Sequence, residues 1–134
     1  MHGGMSLSIS KKYRGNLKLI NNIMRFYLKG NIGLMRIKEF DELFSNKDSL
    51  LWNRTYSNGD LNKQQFNELN QIIKNQKVSY IVVGHTPQKE GINLKGGIIW
   101  KIDTGMSRAF GKYNISRIQL LEIKRNGKNV NIIL

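Results

Sequence analysis

"SYIVVGHTP" (Ser79–Pro87) sets an isoleucine and two valines between a tyrosine and a glycine, then adds a histidine and a proline. β-branched and aromatic residues at this density fit a buried strand, and the run is too short for a helix. The strand is expected to end at Gly84, with Gly84 giving the backbone a tight turn and Pro87 stiffening the exit. His85 then lies just past the strand's C-terminal end, where open sheets present ligand groups. An imidazole held there suits a metal ion at about 2.0–2.1 Å. A hydrogen bond within the loop is the competing use of such a histidine. The chain has one other histidine, His2, in the opening "MHGG".

Downstream of this stretch the pattern stays strand-like. "GGIIWKIDTG" (96–105), "SRIQLLEIK" (116–124) and "VNIIL" (130–134) read as strands, the last two joined at Asn126-Gly127, a hairpin signal. Upstream the period is helical. Leu17, Ile20, Met24, Tyr27 and Leu28 form one face, and Leu34, Ile37, Phe40, Leu43 and Phe44 a second. Phe66, Leu69, Ile72 and Ile73 form a third, with Asp60 as its expected cap. The first ten residues read as turn-prone, and "SLLWNRTYSNGD" (49–60) has no period. The fold class is therefore α+β, helices first and a strand meander last, in one domain spanning residues 1–134.

The chain carries 22 Lys+Arg against 9 Asp+Glu, a net charge of +13. Such a field attracts polyanions. However, 15 Lys, 16 Asn and 17 Ile are also what an AT-rich coding sequence produces, and the basic residues are scattered rather than patched. No nucleic-acid partner is expected. There is no cysteine, which excludes disulfides, thiolate metal sites and Cys nucleophiles. No apolar run is long enough to span a bilayer and no export signal is seen, so no membrane partner and a cytoplasmic location are expected. "NRT" at Asn53 and "NIS" at Asn114 match the glycosylation acceptor pattern and are read as accidental. "GMSRAFGKY" (105–113) fails as a phosphate loop, because five residues separate its glycines and Tyr113 stands where Ser or Thr is needed.

Four blocks in order carry more. "HGG" (2–4), "LLWNR" (50–54), "GHTP" (84–87) and "IWKIDTGMS" (99–107) together resemble the C-terminal half of the calcineurin-like metallophosphoesterases, in their serine/threonine phosphoprotein phosphatase branch. The resemblance runs from His2 to about Ile123 and implies half of a β-sandwich flanked by helices. It implies that His2 and His85 are ligands of one ion in a dinuclear manganese, iron or zinc centre. It further implies that Arg54 grips the substrate phosphate, for which a planar guanidinium is well shaped. Asp103 could orient a ligand, although a hydrogen bond at a turn is the favoured use, and Trp52 and Trp100 are read as core.

The family's Gly-Asp-x-His-Gly, Gly-Asp-x-x-Asp-Arg-Gly and Gly-Asn-His-Glu motifs do not occur in this sequence. The resemblance therefore implies a partial domain with no catalytic acid of its own. Its activity in the complete domain would be metal-dependent hydrolysis of a phosphorylated protein or another phosphoester. A partner chain carrying the missing motifs is one way to complete it. The alternative is a non-catalytic basic module, binding phosphate or nucleic acid, built on a phosphatase scaffold.

Overall fold

The computed structural model describes residues 1–31, 37–110 and 118–134. Leu34 of the second helical face, Tyr113, Asn114 and the Ser116–Arg117 start of a predicted strand lie outside the described residues.

Helices come first. α1 (Leu7–Lys12) occupies part of the stretch expected to be turns. Ser6 caps it by accepting from the Ile9 N–H, and Lys11 and Lys12 sit where the helix dipole favours cations. α2 (Leu17–Leu28) is capped by Asn16. Of its expected face, Ile20 is buried and Met24 packs against the core, but Leu17 and Leu28 are exposed. α3 (Ile37–Phe40) continues into a wider turn over Asp41–Ser45 that buries Leu43 and Phe44.

α4 (Lys63–Gln76) buries Leu69 and Ile72 as its spacing requires, while Phe66 is exposed. Its cap is Asn62, not Asp60: Asn62 and Gln65 exchange side-chain and backbone hydrogen bonds in a capping box. Asp60 instead pairs with Lys95 at 2.8 Å. α1 packs on α4, where Gln76 Nε2 donates to the Ser10 carbonyl (3.0 Å) and hydroxyl (3.2 Å).

Strands follow. β1 (Ile81–Val83) pairs in parallel with β3 (Ile99–Lys101), and β3 pairs antiparallel with β2 (Asn93–Lys95), which the hydrophobic pattern does not reveal. Ile81, Val83 and Ile99 enter one core with Met5, Ile9, Leu43, Leu69 and Ile72. Residues 1–2 lie along the free edge of β1: the Met1 nitrogen donates to the Val82 carbonyl (2.9 Å), and the Gly84 N–H donates to the His2 carbonyl (2.8 Å). β4 (Leu120–Lys124) and β5 (Asn129–Ile133) form a separate antiparallel hairpin, turning at residues 125–127 as Asn126-Gly127 predicts. The α+β class with helices first and strands last is what the sequence implies. No helix among the described residues is long and apolar enough to cross a membrane.

Candidate metal and phosphate site

β1 delivers the first imidazole. Past Val83 the chain makes a tight three-residue turn in which the Thr86 N–H donates to the Gly84 carbonyl at 2.9 Å. The left-handed residue in that turn is His85 itself, at φ 65°, while Gly84 does not adopt such a φ. This corrects the expectation that Gly84 supplies the turn. Histidine visits the left-handed region more readily than most side chains, but the conformation still costs energy and is typical of functional sites.

The second imidazole arrives from the other end of the sequence. Its strand-like pairing places His2 beside Gly84, and its backbone is locked from behind. The Gly3 N–H donates to the Leu50 carbonyl at 2.8 Å. A Cβ on Gly3 would stand 2.7 Å from the Leu51 carbonyl oxygen and 2.8 Å from both the nitrogen and the carbonyl oxygen of Asn53. Only glycine allows that approach. The outcome is that His2 and His85 meet, ring centroids 4.4 Å apart and planes inclined at 59°.

A third segment closes the site. Residues 49–58 fold as consecutive turns, with Asn53 buried and its side-chain Oδ1 accepting from the Thr55 N–H at 2.8 Å. These turns leave Arg54 exposed and set Trp52 edge-on to His85 at 5.3 Å. Trp52 is 50% exposed, so it is not the core residue the sequence implies; Trp100 is. The missed signal was local: Trp52 is two residues from Arg54, in the same block.

Electrostatics tie the segments together. The pKa of His85 is lowered, first by burial, then by the positive charge of Arg54 and by His2, with Asp103 acting in opposition. A neutral imidazole keeps its lone pair available to a cation. Asp103 Oδ1 accepts from the Gly105 N–H at 2.9 Å, the turn hydrogen bond expected of it. Two imidazoles can share one cation, but among the described residues no three His, Cys, Asp or Glu side chains are placed to hold a metal ion.

No family model matches the chain, and no solved structure matches it either. Among curated proteins it is 34% identical over 125 residues to an uncharacterized protein of Acanthamoeba polyphaga mimivirus, covering 80% of this chain and 50% of that one. It is 32% identical over 110 residues to Shewanella-like protein phosphatase 1 of Plasmodium berghei, covering 79% of this chain and 29% of the relative. The chain therefore spans half the length of the first relative and less than a third of the second.

Proposed function

We propose that the chain is part of a calcineurin-like metallophosphoesterase domain of the serine/threonine phosphoprotein phosphatase branch. In this reading His2 and His85 supply two ligands to one divalent cation, and Arg54 grips the phosphate of a phosphorylated protein or another phosphoester. The carrying observation is the 4.4 Å approach of the two rings. Two imidazoles bound to one ion at about 2.0–2.1 Å bring their rings about this close. The phosphatase-named relative supports the reading from a separate direction.

The two imidazoles suit iron or zinc, and manganese, which favours oxygen donors, would draw more on the carboxylates of the missing motifs. Such ions, when bound, polarise phosphoryl oxygens and lower the pKa of a water for hydrolysis. The chain's own residues do the rest. The His85 turn and the Gly3 contact fix two nitrogen donors before any cation arrives. The exposed guanidinium of Arg54 can bond two phosphate oxygens at once. The carboxylates that a dinuclear centre needs come from a segment or partner chain carrying the missing motifs. A cytoplasmic location belongs to this proposal.

The test is a manganese titration followed by NMR of the two imidazoles, with aryl phosphate hydrolysis in parallel. Manganese should broaden both rings together, and His85→Ala should remove the effect on His2. Turnover should be very low until a chain carrying the missing motifs is co-expressed. Two rings that ignore manganese, with or without that partner, would sink the reading.

A further inference from the structure

The turn that carries His85 and the turn that carries Arg54 are held at a fixed separation by one side chain that neither motif contains. Gln88 lies two residues beyond the turn, after Pro87. Its Nε2 donates both hydrogens across the gap, one to the Thr86 carbonyl (2.6 Å) and one to the Ser57 carbonyl (3.1 Å). Thr86 closes the His85 turn. Ser57 closes the Arg54 turn, its N–H and hydroxyl both donating to the Arg54 carbonyl at 3.3 and 3.4 Å. A direct hydroxyl contact, Ser57 Oγ to Thr86 Oγ1 at 2.7 Å, reinforces the same join.

The rest of Gln88 is equally committed. Its N–H donates to the Asp103 carbonyl at 2.8 Å, its own carbonyl accepts from Gly91 at 3.2 Å, and its Oε1 accepts from Asn93 Nδ2 at 3.4 Å. Every polar group of the residue is used, and the partners lie in three loops and at the first residue of β2. We propose that Gln88 is the positioning residue of this site: by bridging the Ser57 and Thr86 carbonyls it sets how far Arg54 stands from His85.

The chemistry of the bridge is specific. It needs two N–H donors on one atom at the end of a three-carbon reach, which among uncharged side chains only glutamine offers. Glutamate has the same size but would turn a carboxylate oxygen toward two carbonyl oxygens and push the loops apart. Leucine keeps the bulk and the two backbone hydrogen bonds but loses every side-chain one. Asparagine stops one carbon short. Because its amide bonds the carbonyls of the two turns rather than the imidazole or the guanidinium, its loss acts by moving those groups.

This inference rests on the phosphate-gripping reading of Arg54, so its test has two independent arms. With only two histidines and two tryptophans, ring-to-ring NOEs in the full chain are assigned without ambiguity. Wild type should show contacts of His85 with both His2 and Trp52. Gln88→Glu and Gln88→Leu should keep the His2 contact, which depends on Gly84, and lose or weaken the Trp52 contact. In the second arm inorganic phosphate is titrated at low salt, and both variants should bind it about tenfold more weakly than wild type, whereas Gln64→Glu, on the outer side of α4, should not. A wild-type chain that ignores phosphate overturns the functional reading but leaves the NOE arm to decide on Gln88. An unchanged His85–Trp52 contact in both variants overturns the positioning role, whatever phosphate does. If Gln88→Glu fails to fold, Gln88→Leu carries both measurements.

Discussion

The residue preceding one imidazole is hydrogen-bonded to the residue bearing the other: the Gly84 N–H donates to the His2 carbonyl at 2.8 Å. Residues far apart in the chain are thus fixed relative to each other through the backbone, independent of any ligand. The rings meet because their backbones are paired, which makes the pairing itself the thing to perturb.

Gly3 and Gly84 flank that pairing and should respond unequally to alanine. A methyl on Gly3 collides with backbone atoms of residues 51 and 53 at under 3 Å, and backbone cannot step aside cheaply. Gly3→Ala should cost about 1–3 kcal/mol, as overpacking does, and weaken the His2–His85 contact. A methyl on Gly84 meets the His2 carbonyl oxygen at 3.6 Å, an ordinary contact, and its backbone is not left-handed. Gly84→Ala should lie within about 0.5 kcal/mol of wild type. Urea denaturation of both variants decides the matter, and equal losses would contradict it.

His85 holds its backbone in a region where glycine is at ease. Replacing it by glycine removes the ring and the strain together, while alanine removes only the ring. His85→Gly should therefore be more stable than His85→Ala by about 1 kcal/mol, and neither should bind manganese at this position. A β-branched replacement, His85→Val, should be the least stable of the three. The order of the three melting midpoints is the measurement.

Acid should weaken the fold through the same residue. His85 has a folded pKa below its ordinary 6.5, chiefly from burial and then from Arg54. As pH falls, the unfolded chain takes up this proton before the folded one does. The stability it contributes is complete above about pH 6.5 and is lost as the pH drops through the folded value. Arg54→Gln removes one cause of the depression, so an NMR titration of the His85 ring should move upward in that variant. A downward or null shift would separate Arg54 from the site.

The sequence displays the parts of this fold that follow a period and hides the parts that follow a contact. α4 was legible because Leu69 and Ile72 repeat at helical spacing, and the hairpin because Asn126-Gly127 suits only a few backbone shapes. α1 was hidden by the glycines before it; what makes it a helix is Ser6 as a cap and burial of Ile9 against α4. β2 was hidden because its three residues carry no alternation, and it exists by pairing with β3. In the site, His2, His85 and Arg54 stand out in motif blocks. Trp52 shares the Arg54 block but reads as core, and Gln88 carries no signal because its role appears only when loops distant in sequence lie side by side.

The β4–β5 hairpin gives the last test, because its apolar face has too little cover. Register places Leu121 opposite Ile132 and Ile123 opposite Val130, so these four side chains share one face. Ile123 is 51% exposed and Ile132 41%. A two-stranded ribbon with a sticky face, and with edges that no other strand among the described residues pairs, is a template for association. The net charge of +13 opposes that association, and salt screens the charge over a Debye length of about 10 Å at 0.1 M. Self-association should therefore increase as salt is raised, the reverse of what attraction between opposite charges would give. The double variant Ile123→Thr with Ile132→Thr keeps β-branched residues in both strands and should abolish the salt-induced increase in sedimentation velocity runs. Because so much of each side chain is already in water, its melting temperature should stay near wild type. A variant that unfolds would show that the face is packed, and one that still associates would place the contact elsewhere on the molecule.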